Sequence, residues 1–427
     1  MEKNISFKPA PFINPIESSP NILVVGGGVT ALVTSWLLLD RGYNVTILSK
    51  EWASYTSKIR LTSQIAGALW EFPPAVCGQH TDPISLHHSK RWCMMAYKIW
   101  DAIAADPELA SASGVRMKYS AFFFPKPLEA DEVQLDKMKE IQESGVRGFR
   151  RDPGLIQKYS ISTEYGVEDA YELLAPVIDT DHAMSWLMKL VESKGAKFVT
   201  ESINRDLFDC EYELRGRFKA DAIVNATGLA GFDLANDNSC YPIRGGLIRV
   251  INDGKYFPKV ESALSISADA HHAGHGSSDE IIFIIPRNDN TLLLGGISQS
   301  HKWNLDLTLD SPIIQRMRER CEIFLPPLKN ALLDPEYPFA QGLRPFRQRN
   351  VRVERELRQH NNSSSSDANI HCTEPKTATS RIIHSYGHGG AGWSLSFGCA
   401  SDVISLVMEA LADLEPHAMA VSEEEII

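Results

Sequence analysis

The chain has 427 residues, 43% of them hydrophobic and 23% charged, which excludes a mainly disordered polypeptide and supplies material for about two or three domains or one large α/β body. Lys and Arg number 43 against 54 Asp and Glu, a formal charge of −11. The basic footprint of a sequence-independent nucleic-acid binder is therefore missing, and small-molecule partners are expected instead.

Residues 1–20 carry four prolines and read as an extended arm. Asn21–Val25 is a β-branched, apolar run that enters Gly26-Gly27-Gly28. Ala31–Asp40 reads as a Leu- and Val-rich helix ended by Gly42, and Asn44–Leu48 as a second strand, which together make a β-α-β unit. Helical periodicity returns in Leu86–Ala104, where Trp92, Tyr97 and Trp100 fall near helical spacing and are read as core. Asp131–Glu143 reads as a surface helix and Asp181–Lys194 as a helix capped by Gly195. Lys197–Thr200 and Ala220–Asn225 read as strands able to join the first sheet.

Beyond residue 246 the pattern changes. Leu247–Ile251, Glu280–Ile285 and Thr291–Leu294 predict an antiparallel sheet, with a His-, Gly- and Ser-rich loop over Asp269–Asp279. Ser311–Phe324 is a helix, Asn361–Asp367 a polar low-complexity loop, and Ala400–Leu414 the last helix. No apolar run approaches the ~20 residues of a bilayer span, so no membrane partner is expected. The seven cysteines form no C-x-x-C pair, which argues against a disulfide framework or a zinc site. Met1–Pro20 lacks a signal-peptide pattern and the last residues are not of the Ser-Lys-Leu type, so a cytosolic location is expected.

Gly26-Gly27-Gly28-Val29-Thr30-Ala31 fits G-x-G-x-x-[GA] between a strand and a helix. In that motif Gly26 makes the tight turn, Gly28 lets the backbone approach a pyrophosphate, and Ala31 permits close helix–strand packing. The phosphates would face the helix N-terminus, with Val29 and Thr30 in its first turn. The acidic residue expected at the end of the second strand is absent: Ser49 and Lys50 stand there and Glu51 follows late. The motif alone leaves NAD and FAD both open.

Further segments carry a resemblance. They are Ser63–Trp70, Gly148-Phe149-Arg150, Asn225–Gly228, Arg244-Gly245, Trp303-Asn304, Gly342–Arg347 with Val351–Glu356, and His384–Trp393. In this order they resemble the D-amino-acid oxidase family of FAD-dependent oxidoreductases over roughly residues 20–415. The resemblance implies an α/β (α+β) fold with a Rossmann-type FAD-binding domain, discontinuous in sequence, over residues 1–70, 175–243 and 335–427. Residues 71–174 and 244–334 would form a second, substrate-binding domain on a largely antiparallel twisted sheet. It implies non-covalent FAD, held by the glycine motif together with Ser49, Lys50, Ser63, Thr227 and Gly228. Gly67, Ala68 and Leu69 would lie along one side of the flavin ring, and Gly389, Gly390, Ala391, Gly392 and Trp393 near its other edge. Arg344 matches the arginine that grips a substrate carboxylate through two parallel hydrogen bonds. His388 is read as bracing the glycine run, and Cys399 as a small buried residue.

One position departs from the family. A tyrosine usually precedes Ile-Ile-Pro, whereas this chain has Phe283-Ile284-Ile285-Pro286, so one hydrogen-bond donor to the substrate is missing. The neighbouring loop offers His271, His272 and His275, read as solvated, with substrate contact (His275) or metal binding as sharper readings. Three functions follow from the sequence. The first is an FAD oxidase acting on the C–N bond of an amine or amino acid, with hydride passing to the flavin N5 and oxygen accepting the electrons to give hydrogen peroxide. D-amino acids are the first substrate class. The second is a tailoring oxidase for a larger amino-acid-derived amine, and the third a flavin-binding protein without turnover. Family analogy leaves a homodimer open.

Overall fold

The computed structural model describes residues 4–55, 60–73, 83–266, 280–349, 351–361 and 377–420. Their α/β architecture rests on two large sheets. The first has six strands in the order Arg352–Arg355, Ile382–Tyr386, Ala222–Asn225, Asn21–Val25, Asn44–Ser49 and Lys197–Thr200. All its neighbours run parallel except the Arg352–Arg355 edge. Its central strands are apolar apart from Asn21 and Asn225 at their ends, because both faces are covered. Ile22 and Val24 face one core with the helices Val29–Asp40, Pro83–Ala105 and Gly392–Leu411, while Leu23 and Val25 face the other with Leu207 and Leu214.

The second sheet has nine strands and is antiparallel but for one pairing, Val115–Phe124 with Ala263–Ile266. Its spine is Cys240–Ile251, which pairs with Thr291–Ile297 on one side and with Phe339–Arg347 on the other. One face is buried under Ile314, Met317, Cys321 and Phe324 of the helix Pro312–Phe324.

The secondary structure departs from expectation in four places. Val115–Phe124 and Asp169–Ile178, unread in the sequence, are long strands of the second sheet. Phe339–Arg347 pairs along its whole length with Cys240–Ile248, so this sheet takes in segments on both sides of the boundaries expected at residues 243 and 334. The last helix begins at Gly392 rather than Ala400. Gly392, Ser394, Ser396 and Gly398 have low helix propensity, and packing against two other helices overrides it. With those residues included, Gly392–Leu411 is by length and composition apolar enough to cross a membrane, at a mean hydropathy of 1.4, yet 61% of that stretch is buried inside the protein. Five cysteines, Cys93, Cys210, Cys240, Cys321 and Cys399, are buried free thiols; Trp92, Tyr97 and Trp100 lie in the core.

The N-terminal arm is clamped by a buried ion pair. Lys194 Nζ donates to Asp40 Oδ1 at 2.7 Å and to Ala10 O at 3.1 Å. The same carboxylate accepts from Phe12 N, Ser6 N and Trp36 Nε1. Such a pair owes its stability to having every lone pair and proton satisfied. Removing one partner leaves the other charged and buried. Lys194→Met should therefore cost about 3–5 kcal/mol in urea unfolding, while the double change Lys194→Met/Asp40→Leu should recover part of that loss.

Candidate functional site

The site is assembled where the two sheets meet. Gly26 leaves the central strand with φ +130°, its N–H donating to Leu48 O at 2.8 Å. A Cβ there would overlap the carbonyl oxygen of Ala226, which crosses directly above. Gly28 caps the helix Val29–Asp40 in an extended conformation and, as a glycine, supplies no side-chain cap. Val29 N donates to Ser63 Oγ at 3.0 Å, which leaves the first-turn N–H groups of Thr30 and Ala31 pointing along the helix axis out of the turn. A glycine cradle of this kind, closed by Ser63 and Ala226 and ending in uncapped amides, fits a dinucleotide pyrophosphate.

At the end of the second strand Ser49 Oγ donates to Glu51 O at 2.7 Å, so this hydroxyl folds back on its own turn. Lys50 and Glu51 are exposed and pair at 3.6 Å. At the end of the strand Ala222–Asn225, Thr227 donates through both its N–H and its hydroxyl to Asn225 Oδ1, the latter at 2.7 Å. The orientation of Asn225 is itself fixed. Its Nδ2 faces His384 Nδ1 at 3.2 Å, and His384 Nε2 faces Glu356 Oε2 at 3.1 Å. Because Asn225 donates to Nδ1, the imidazole carries its proton on Nε2 and gives it to the carboxylate. Burial alone would raise the Glu356 pKa, but hydrogen bonds from His384 and Arg358 outweigh it and hold the carboxyl far below its usual range. Burial also lowers His384. The sequence shows Asn225, His384 and Glu356 only as parts of the segments that carry the resemblance and gives them no role, because the three meet from separate parts of the chain.

Ser63 joins this turn to the rest of the site. Trp393 Nε1 donates to Ser63 O at 2.9 Å, and the adjacent Thr62 hydroxyl donates to Leu343 O at 3.2 Å. Gly392, the first residue of the last helix, packs against Val29. Gly389 (φ +56°) donates its N–H to Pro345 O at 2.8 Å, and Gly228 lies beside the Pro345 ring. Gly390 is exposed, whereas Ala391 is buried and bonds back to His388 O. The brace expected of His388 is thus made by its carbonyl. The His388 ring is buried, its Nε2 has no hydrogen-bond partner among the described residues, and burial pushes its pKa down to about 4. Cys399 is buried, and burial raises its thiol well above the usual value.

Arg344 stands one residue before Pro345. Its guanidinium lies over Gly245 and donates from one terminal nitrogen to Ile297 O at 3.1 Å. In the same sheet, with the strands Cys240–Ile251 and Thr291–Ile297 between, the Phe283 ring packs against Gly67 so closely that a Cβ on residue 67 would overlap it. Leu69 joins Phe283 against Leu247, Ile285 and Leu293. Ala68 holds a positive φ of 49°. The structure therefore brings together Gly26, Gly28, Val29, Ser63, Trp393 and Gly392 as one group, and Gly67, Leu69 and Phe283 as another. Arg344 and Gly389 stand on either side of Pro345. His271, His272 and His275 lie outside the described residues.

Comparison with known proteins decides the family. The chain belongs to the FAD dependent oxidoreductase family, whose model matches residues 21–406. It is 27% identical to the D-amino-acid oxidase of Streptomyces coelicolor, over 91% of this chain and 97% of that one. It is 28% identical to the D-amino-acid oxidase of Dictyostelium discoideum, over 92% and 93% of the two chains. Among solved structures, the glycine oxidase of Geobacillus kaustophilus shares the fold with a TM-score of 0.65 at 16% identity, covering 95% of this chain and 98% of its own. This flavoprotein is accordingly an FAD-dependent oxidoreductase.

Two expected outcomes follow from this geometry. Gly26→Ala should abolish FAD retention, because neither the Ala226 carbonyl nor a φ of +130° tolerates a Cβ; flavin absorbance after gel filtration reads this directly. The stabilising effect of Glu356 is complete above the ordinary carboxyl pKa of about 4.3 and is lost as pH falls through its lower folded value. Glu356→Gln should thus flatten the decline of unfolding free energy below about pH 4.

Proposed function

We propose that this flavoprotein is an oxidase that converts the C–N bond of an amino acid, or of an amine derived from one, to an imine, with D-amino acids as the first class to test. Molecular oxygen would be the electron acceptor and hydrogen peroxide the product. FAD, held non-covalently, supplies the hydride acceptor at N5 and the means of passing electrons to oxygen. The residues of the chain bind, align and exclude. The glycine turn, Ser63 and the Thr227–Gly228 turn would hold the dinucleotide, and the segments Gly67–Leu69 and Gly389–Trp393 would border the ring.

The observation that carries this reading is the position of Arg344, one residue before the proline whose carbonyl binds Gly389. A guanidinium there can take a substrate carboxylate in a two-pronged grip and so fix which substrate hydrogen faces the flavin. Phe283 supports a narrower reading of the substrate. Its ring, seated on Gly67, offers no donor, and a small polar group placed against it would lose a hydrogen bond worth about 1–3 kcal/mol. The substrate side facing Phe283 is therefore apolar, which favours a larger amino-acid-derived amine, as in a tailoring pathway, over D-alanine. The buried free thiols accord with the cytosolic location read from the sequence.

The test is anaerobic mixing of the FAD-loaded protein with D-amino acids, L-amino acids and secondary amines while following flavin absorbance. Bleaching by carboxylate-bearing substrates should weaken about 10–100-fold in kcat/KM in Arg344→Met, the loss of a charged hydrogen bond of about 1.5–3 kcal/mol. High D-alanine turnover by the unmodified protein would overturn the reading of Phe283. Equal activity of Arg344→Met on all substrates would overturn the role of Arg344.

A further inference from the structure

Arg287 is a fully buried arginine just beyond Phe283-Ile284-Ile285-Pro286. It reaches the segment that borders the proposed flavin site. One terminal nitrogen donates to Ala66 O at 2.7 Å; the other donates to Ile178 O at 3.3 Å and to the Thr180 hydroxyl. That hydroxyl in turn donates to Gln64 O at 2.5 Å. Ile178 N donates to Ala68 O, and Trp70 N to Pro176 O. The carbonyls of residues 64, 66 and 68 and the N–H of Trp70 are thus turned toward Arg287, Thr180 and the strand Asp169–Ile178. The N–H groups of Gly67 and Leu69, each on the far side of a peptide whose carbonyl is held there, point the other way, and among the described residues they have no hydrogen-bond partner.

The Ala66 carbonyl and the Gly67 N–H belong to one peptide unit. In a trans peptide they point in opposite directions. A guanidinium bound to the oxygen withdraws electron density through the conjugated amide and strengthens the N–H on the far side as a donor, most effectively where water is excluded. The cation is also unusually placed. Buried charges are ordinarily paired head-on. Every hydrogen bond of Arg287 goes instead to a neutral oxygen. The carboxylates that feel it most, Asp179 and Asp181, are bonded elsewhere: Asp179 to His182 and Asn288, Asp181 to Arg60 and Gln64. Arg249 and Arg60 add further positive charge nearby. Burial lowers the Arg287 pKa to about 10, partly offset by Asp179, so the side chain stays cationic at neutral pH.

We propose that Arg287 is a positioning residue that acts through the Ala66–Gly67 peptide, making the Gly67 N–H a strong donor to negative charge arising on the flavin and so raising the flavin's affinity for electrons and for anionic adducts. This rests on the reading that Gly67–Leu69 flank the flavin ring.

The test uses the FAD-loaded full chain and sulfite, a nucleophile whose electron pair forms a bond to flavin N5 and leaves the ring negatively charged. Sulfite affinity, flavin midpoint potential and FAD affinity are measured for the unmodified protein, Arg287→Met, Arg287→Lys, Thr180→Val and the double variant Asp179→Asn/Arg287→Met. The double variant removes the cation without stranding the Asp179 carboxylate, so it remains informative if the single methionine change fails to fold. Both methionine variants should lose about ten-fold or more in sulfite affinity and shift to a lower potential while still binding FAD. The lysine variant should keep most of the effect, and Thr180→Val, which leaves the Ala66 bond intact, should not change it. Unchanged sulfite affinity and potential in an FAD-bound methionine variant would overturn the role of Arg287 alone. An unmodified holoprotein that takes no sulfite and holds its flavin at the potential of free FAD would overturn the flanking placement beneath it, and the proposal with it.

Discussion

A single backbone hydrogen bond, from Gly389 N to Pro345 O at 2.8 Å, joins the two sheets at the point where chemistry is expected. Its donor lies in the glycine run after the Ile382–Tyr386 strand of the first sheet, and its acceptor on the strand Phe339–Arg347 of the second. Around it runs a closed circuit. Thr62 ties to Leu343, Ser63 ties both to Val29 and to the Trp393 indole, and Trp393 stands four residues beyond Gly389. The start of the helix Val29–Asp40, the segment around Thr62 and Ser63, and the strand that carries Arg344 are each fixed relative to the other two. Hydride transfer depends on near-contact alignment of two bound molecules, and a shift of about 1 Å between their binding sites is enough to lose it.

The parts legible in the sequence were those whose signal is local. The β-α-β unit shows its strand, glycine turn and helix within thirty residues, and the structure reproduces it. The helix starting at Gly392 was hidden because glycines and serines oppose helix formation until tertiary packing compensates. Val115–Phe124 escaped notice because its first half alternates only loosely and its second half is continuously apolar. At the site, Arg344 and the glycine run were visible through family resemblance. The seating of Phe283 on Gly67, the relay Thr227–Asn225–His384–Glu356 and the reach of Arg287 to Ala66 were not. Each joins residues that the chain separates widely, and Arg287 in Pro286-Arg287-Asn288-Asp289-Asn290 reads as an ordinary turn residue.

Two buried carboxylates are held in connected sets of donors. The Asp40 carboxylate receives four different donors, and Glu356 is met by both an imidazole and a guanidinium. Arrangements of this kind add little net stability over an apolar core, but partial versions of them are costly. They therefore penalise misaligned packings of the helices and strands that carry the site. Arg287 lacks a contacting carboxylate and bonds only to neutral oxygens, as does the equally buried Arg355, which donates to Leu414 O and Ser380 O.

The order of strands in the first sheet also governs how the protein is made. Ala222–Asn225 has its partner Asn21–Val25 early, but its other neighbour, Ile382–Tyr386, is translated only near the end of the chain. Until then the nascent sheet presents an open, apolar edge, and the last helix is not yet there to cover Val29–Asp40. The turn at Gly26 is translated early, whereas Trp393, which donates to Ser63 beside it, comes much later. The unfinished edge must be shielded by chaperones or outrun by elongation. A ribosome that stalls between these two strands leaves a species prone to aggregate, whatever the stability of the finished enzyme.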